Sequence, residues 1–393
     1  MNGPAAVYLD YAATAPVDPR VAEAMAECLR GPAGNPSSSH ASGRRARGLV
    51  EHARAQVAAL VGAAPSAIVF TSGATESDNL AVLGVARAAR DRGRHVVTSR
   101  TEHRAVLDAC RRLEREGFDV TWLRPGADGR VLAAQVAAAL RPDTVLVALM
   151  HANNETGAIN EIPEVGRLCR GRGVPLHVDA AQSVGRVPVD VEVLGADLVA
   201  FTAHKLGGPA GIGALYVRRE PRPALDPLLF GGGQEAGLRP GTLATHQAVG
   251  FGLACEIAAA ALPGEEPRVR ALRERLWSRL AVLERVERNG AAQPSVPGIL
   301  NVFFAGVEGE SLLLDLEGRV EASSGSACSS ARAEPSYVLR ALGRSDAGAQ
   351  ASLRLSLGRF TTEEDVDRAA DALVAAVRRL RALAPEGAME RVA

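Results

Sequence analysis

DLVAFTAHKLGGPAGIGALYV, residues 197 to 217, is the stretch on which the fold turns. Its first five residues are a short apolar run that stops at the polar Thr202, and a run of that length reads as a strand buried on both faces. Lys205 follows at once, ahead of a loop with four glycines in seven residues. The same arrangement recurs along the chain: AIVF (67–70) before TSGATES, HVVTS (95–99) before RTEH, TVLVALM (144–150) before HANNETG, and LHV (176–178) before DAAQS. Each run is followed by a helix pattern, so the chain is expected to be α/β, built from βα units around a mostly parallel sheet. In such sheets ligands sit beyond the carboxyl ends of the strands, where this chain keeps its unusual polar residues.

The pattern changes at LPGEEPRVR (262–270), where proline, glycine and charge replace an alanine-rich helix. A domain boundary is expected there. Beyond it come an amphipathic helix (Val269, Leu272, Leu276, Leu280, Leu283), a strand near ILNVFF, a helix over GESLLLDLEG, a strand SLRLSL and a final helix after TTEEDVDRAADALVAAVRRL. These read as a smaller α+β domain spanning 263–393, with residues 1–12 packed against it and 13–262 forming the large domain. At 393 residues the chain exceeds what one core usually holds, which agrees with two domains.

Lys plus Arg and Asp plus Glu both number 45, so no global field draws the protein to nucleic acid or to an anionic membrane. GRRARG (43–48) reads as a solvated helix face. The N-terminus has no secretory pattern and no run approaches the ~20 apolar residues of a membrane span, so a cytoplasmic protein is expected. Four of the five cysteines, Cys28, Cys110, Cys169 and Cys255, sit on helical spacing with apolar neighbours, as structural cysteines do. No C-x-x-C pair and no metal-ligand spacing is present, so neither a disulfide framework nor a metal site is expected. Cys328 differs. It lies in ASSGSACSSARAEP (322–335), among serines, alanines and a glycine that give it no apolar face.

Three signals at strand ends bear on chemistry, and each is ambiguous alone. Lys205 can cap a sheet edge, or it can be a buried, low-pKa amine of the kind a Schiff-base lysine needs. Asp179 can cap the segment after its strand, or it can hold a pyridinium nitrogen protonated. SGATES (72–77) opens a helix where backbone N–H groups and the Thr75 hydroxyl can bind phosphate, though Thr75 and Asp78 also make a capping-box pattern. Together, on one sheet edge and in this order, they point to pyridoxal phosphate.

The sequence resembles the cysteine desulfurases of the IscS/NifS type, in the class V aminotransferase group of fold type I pyridoxal phosphate enzymes. The resemblance runs along nearly the whole chain: YLDYAATAPVDPRV, GNPSSSH, VFTSGATESDNLAV, TEHRAVLDAC, ANNETG, HVDAAQSVG, AHKLGGPAGIGALYVRR, RPGTLATHQ, SSGSACSSA, EPSYVLRALG and RLSLGRFTTEED occur in that order. It implies that Lys205 bonds the cofactor, that Asp179 meets the pyridine nitrogen and Gln182 the phenolic oxygen, and that His103 stacks on the ring and moves protons. Ala74, Thr75, Thr202 and His204 are implied as phosphate ligands, with Thr242 crossing from a second subunit of a homodimer. Asn154 and Arg354 resemble the residues that orient the substrate carboxylate, with Asn35 nearby. In SLRLSL the leucines share one strand face, which leaves the Arg354 fork on the other, free for bidentate pairing.

Cys328, on a mobile loop of about 322–333 in the small domain, is implied to take sulfur from L-cysteine as a persulfide, releasing L-alanine. The sulfur then passes to an acceptor such as an iron–sulfur scaffold protein, or to transfer RNA thiolation. An alternative is a selenocysteine lyase or another fold type I enzyme. The long form SSGSAC differs from the shorter cysteine environment of the SufS-like group, which weakens the selenocysteine lyase alternative.

Overall fold

The apolar runs quoted above form strands because their β-branched and aliphatic residues are buried on both faces, where a pleated backbone packs them well. The computed structural model describes residues 5–290, 292–324 and 334–383. After a two-residue strand β1 (Val7–Tyr8) come β2 (Ile68–Thr71), β3 (His95–Ser99), β4 (Asp119–Leu123), β5 (Thr144–Met150), β6 (Leu176–Asp179), β7 (Leu198–Thr202) and β8 (Gly213–Val217). These last seven make one sheet in the order β2-β8-β7-β6-β5-β3-β4. Its pairs are parallel except those of β8, which runs antiparallel to both β2 and β7.

Alternation along β7 shows how the sheet is covered. Leu198 and Ala200 face a core made with Leu80 and Val82 of the helix Ala74–Ala88 and with Val106 and Leu113 of the helix Arg104–Arg115. Val199 and Phe201 face the opposite core, with Val50 and Val57 of the helix Ala41–Leu60, Val165 of the helix Ile162–Arg172, and Phe251. Neighbouring residues thus serve two different layers, as the two-residue period of a strand requires.

A third hydrophobic core gathers Val7, Leu9, Val269, Leu276, Val302, Leu353, Leu355, Leu373 and Val377. It backs the three-stranded antiparallel sheet β12-β10-β9, formed by β9 (Val286–Arg288), β10 (Ile299–Phe304) and β12 (Ser352–Ser356), and it is closed by the helix Glu363–Leu383. β11 (Val320–Glu321) pairs in parallel with β1, which binds the N-terminal segment to this core.

Three expectations are corrected. The helix does not break at 262–270: it runs from Thr245 to Leu280 with Pro263 and Pro267 inside it. Interior proline normally costs a helix ~3 kcal/mol. Here both prolines, and Ala259, whose carbonyl Pro263 leaves unbonded, are exposed, so water satisfies the freed groups. The helix also enters the core of Val199 and Phe201 through Phe251 and Cys255, and the third core through Val269 and Leu276. Part of it is long and apolar enough to cross a bilayer by length and composition, contrary to the reading of the sequence, but its apolar side chains are used in these two cores. Lastly, LHV and DLVAF are not followed by long helices. Residues 181–186 form turns, and Ala203–Lys205 is a single 3-10 turn leading into β8.

Candidate active site

The carboxyl ends of β2, β3, β5, β6 and β7 lie along one sheet edge, and each loop that leaves this edge carries a candidate residue. After β2 the chain turns through Gly73, whose φ of 155° and ψ of 177° suit only glycine, into the helix Ala74–Ala88. No side chain caps that helix, so its first N–H groups are left to a ligand. Ala74 and the exposed Thr75 occupy its first turn. The capping box expected from Thr75 and Asp78 is not formed. Asp78 is buried instead, its Oδ1 3.0 Å from His177 Nε2.

His103 caps the helix Arg104–Arg115, with Nδ1 accepting from the Ala105 N–H at 3.2 Å. Burial lowers its pKa, so the ring is neutral, and with Nδ1 accepting, its proton lies on Nε2. After β5, Asn153 Oδ1 accepts from the N–H groups of Glu155 and Thr156, both at 2.9 Å. That turn presents Asn154, whose Oδ1 is buried with no partner among the described residues.

Asp179 ends β6, nearly buried, and its Oδ1 accepts from Ala181 N–H at 2.9 Å. Its role as a local cap is therefore real, and its other oxygen stays available. Thr202 ends β7 and donates from Oγ1 to Ile212 O at 3.2 Å. His204 Nδ1 lies 3.2 Å from Thr14 Oγ1, and burial lowers its pKa to about 4. At Lys205 burial lowers the amine to about 8, with Arg186 and Arg354 pushing the same way and Asp179 opposing them. A lysine in such surroundings is an amine held close to its neutral, nucleophilic form at physiological pH.

Gln182 donates from Nε2 to Ala12 O at 2.9 Å, and its Oε1 accepts from Arg186 Nη1 in a short hydrogen bond. Arg186 also donates from Nη2 to Tyr11 O at 2.7 Å. Sequence reasoning missed Arg186, which lies four residues beyond Gln182 and ties that turn to the N-terminal segment.

Arg354 does not keep a free fork. Nη2 donates to Asp10 Oδ1 at 2.8 Å and Nη1 to Asn154 O at 3.1 Å, in a side chain only 5% exposed. The N-terminal segment, which the pattern of SLRLSL alone does not reveal, reaches this guanidinium from the side. Asn35 and Thr242 are both exposed, and neither is hydrogen-bonded to the sheet edge among the described residues. Asn35 instead holds its own turn, Oδ1 accepting from Ser37 N–H at 2.9 Å. The loop before Thr242 is tied in by Arg239 Nε, which donates to Glu76 Oε1 at 3.0 Å beside the uncapped helix start.

Cys328 lies outside the described residues. Its two flanks do not. Ser323 exchanges backbone hydrogen bonds with Arg354, at 2.7 and 3.3 Å, and Tyr337 donates its hydroxyl to Glu102 O at 2.8 Å, one residue before His103.

Residues 7–369 match the family model described as Aminotransferase class-V. The chain is 56% identical over 382 residues to "Cysteine desulfurase IscS" of Pseudomonas aeruginosa (strain LESB58), covering 96% of this chain and 94% of that one. The protein of the same name from Azotobacter vinelandii (strain DJ / ATCC BAA-1303) is also 56% identical over the same share. Among solved structures, "NIFS-LIKE PROTEIN" superposes with a TM-score of 0.88 at 36% identity, covering 95% of this chain and 99% of that one. "SspA in complex with cysteine" gives 0.80 at 38% identity, with 90% and 99% covered. A helix start left open for an anion, a near-neutral lysine and a buried aspartate on one sheet edge are what such enzymes need, and the chain belongs to the class V aminotransferase family, fold type I, among the cysteine desulfurases of the IscS/NifS type.

Proposed function

We propose that this chain takes the sulfur of L-cysteine onto Cys328, releases L-alanine, and hands the sulfur to an acceptor protein. One observation carries the reading: the described flanks of the Cys328 segment are hydrogen-bonded to two candidate site elements, Ser323 to the backbone of Arg354 in β12 and Tyr337 to Glu102 O beside His103. The described chain on either side of Cys328 is thus anchored beside the residues proposed to receive the substrate, where sulfur abstraction must occur.

The residues present fit pyridoxal phosphate. The uncapped start of the helix Ala74–Ala88, with Thr75, Thr202 and His204, would hold its phosphate; Lys205 would bond its aldehyde carbon, and Asp179 its ring nitrogen. When bound, the group supplies an electron sink for negative charge at the substrate α-carbon. Gln182, braced by Arg186, would meet the ring oxygen, and neutral His103 would offer the N–H at Nε2. Arg354 and Asn154 receive the substrate carboxylate. Once released as a free amine, Lys205 Nζ moves the proton at the α-carbon, a task suited to a pKa of about 8.

The Cys328 thiolate then attacks the substrate Sγ. A bond forms between the two sulfurs, the Sγ–Cβ bond breaks with its electron pair left on carbon, and Cβ gains a proton. Thiol plus cysteine has become persulfide plus alanine, with no outside oxidant or reductant. The active form is a homodimer in which Thr242 completes the neighbouring phosphate site, working in the cytoplasm and supplying iron–sulfur cluster assembly or transfer RNA thiolation. The free Cys28, Cys110, Cys169 and Cys255 suit a reducing compartment.

The test is direct. Protein loaded with pyridoxal phosphate should be yellow, borohydride should fix the cofactor to Lys205, and L-cysteine with a reductant should yield alanine and sulfide in equal amounts. Protein that takes up no cofactor, or that releases alanine only from selenocysteine, would refute the proposal.

A further inference from the structure

Arg354 is held by two acceptors and still has hydrogens to give. Nη2 reaches the carboxylate of Asp10 and Nη1 the backbone oxygen of Asn154, while Nε is buried with no partner among the described residues. Asn154 Oδ1, a buried acceptor, is unpartnered as well. A buried N–H without an acceptor is costly, and a ligand carboxylate would satisfy it. Asp10 is itself fixed. Its backbone forms a bridge to Ser356, two residues beyond Arg354, and its carbonyl accepts from the Tyr8 hydroxyl at 3.3 Å.

We propose that Asp10 is a positioning residue for the substrate: by holding one terminal nitrogen of Arg354 it fixes the guanidinium plane so that Nε and the second Nη2 hydrogen form a bidentate seat for the substrate carboxylate. The inference rests on the proposed role of Arg354 and extends it to a residue 344 positions away in the chain. A guanidinium anchored at both ends loses less freedom when it takes up a planar carboxylate than one that must first be oriented. The cost of orientation is met in folding.

A purely structural ion pair between the N-terminal segment and β12 would look the same at rest but behave differently under titration. Asp10→Ala frees the guanidinium, and Asp10→Asn retains an acceptor without its charge. Both variants, loaded with pyridoxal phosphate, should keep their cofactor and melt within a few degrees of the parent. KM for L-cysteine should rise about tenfold or more in Asp10→Ala and about two- to fivefold in Asp10→Asn, with kcat within about twofold. The deciding arm compares L-cysteine with cysteamine, which lacks the carboxylate, by the change each causes in the cofactor spectrum. The Asp10 variants should bind cysteine more weakly and cysteamine as the parent does. An unchanged KM, or an equal loss with both ligands, would overturn the proposal, as would a kcat loss tracking a lower melting temperature in both variants. If the parent bound amino acids but made no alanine, the desulfurase reading would fail, while the same titration with L-alanine against ethylamine would still decide the role of Asp10.

Discussion

Asp78 Oδ1 lies 3.0 Å from His177 Nε2, with both side chains closed off from solvent. The contact joins the helix whose first turn offers the phosphate site to the strand that ends in Asp179, and His177 and Asp179, two residues apart, point to the same face of that strand. Burial raises the Asp78 carboxyl well above its usual range, helped by Asp179 and Glu102, and lowers the His177 imidazole to about 4. Both shifts favour the uncharged forms, so the pair is held together as a proton bridge rather than as an ion pair. An amide can replace a neutral acid in such a bridge; a methyl group cannot. Asp78→Asn should cost under about 1 kcal/mol in urea unfolding, and Asp78→Ala about 2–3 kcal/mol, because it strands a buried ring nitrogen. Equal losses in the two variants would show that the carboxyl is charged in the folded protein.

The lowered pKa of Lys205 can be read in the kinetics of cofactor capture. Its folded value of about 8 lies below the ordinary 10.5, so between those two pH values the folded site has shed a proton that the unfolded chain still holds. Stability from this group therefore rises as pH climbs from about 8 to 10.5 and is absent below that window. The neutral amine is the reactive form, and its fraction falls tenfold per pH unit below its pKa. Protein stripped of cofactor should capture pyridoxal phosphate with a rate that rises tenfold per unit up to about pH 8 and then levels, measured by borohydride trapping and mass spectrometry of the Lys205 peptide. A rate still climbing at pH 10 would mean a solvated lysine.

The site was legible where chemistry sits at the end of an apolar run. Lys205, His103 and Thr75 each follow a strand by a few residues and Asp179 ends one, so strand reading alone brought them to one edge. What escaped the sequence was pairing across long separations. Asp10 and Arg354 are 344 residues apart, and Asp78 and His177 are 99 apart. Local pattern even misled there, since Asp78 beside Thr75 imitates a helix cap that the fold leaves open. Pro263 and Pro267 misled in the same way. Their effect on a helix depends on whether the freed carbonyls meet water, and the sequence does not report exposure.

Two glycines meet behind the phosphate loop, and substitution there should act on cofactor retention. A Cβ added to Gly213 would lie 2.6 Å from Gly73 Cα and 2.7 Å from Phe201 O, both backbone atoms with no side chain to yield. Gly213→Ala should therefore displace the turn at Gly73, and with it the N–H groups that open the helix Ala74–Ala88. Equilibrium dialysis should show pyridoxal phosphate held at least about tenfold more weakly. Gly48 is the control, lying exposed in the helix Ala41–Leu60 with nothing within 4 Å of an added Cβ. Gly48→Ala should leave cofactor binding alone and stabilise the fold by about 0.5–1 kcal/mol.

Cys328 is set apart from the other cysteines by when it acts. Cys110, Cys169 and Cys255 are buried, and burial pushes the Cys110 and Cys169 thiols up to about 12 and Cys255 higher still, so none supplies thiolate at neutral pH. Serine at position 328 keeps a small polar residue among serines and alanines, so folding and cofactor binding should be unaffected. Only the nucleophile is removed. Cysteine added to Cys328→Ser should still alter the cofactor spectrum, because Lys205, His103 and Arg354 are intact, while alanine and sulfide fall to near background. Lys205→Ala should fail earlier, with no covalent cofactor at all. In the parent protein, cysteine given without a reductant should add the mass of one sulfur to the peptide containing Cys328, removable by dithiothreitol, and add nothing to the peptides of Cys110, Cys169 or Cys255. Substantial alanine production by Cys328→Ser would mean that sulfur leaves without attack by a protein thiol, and a lyase would then describe the chemistry better than a desulfurase.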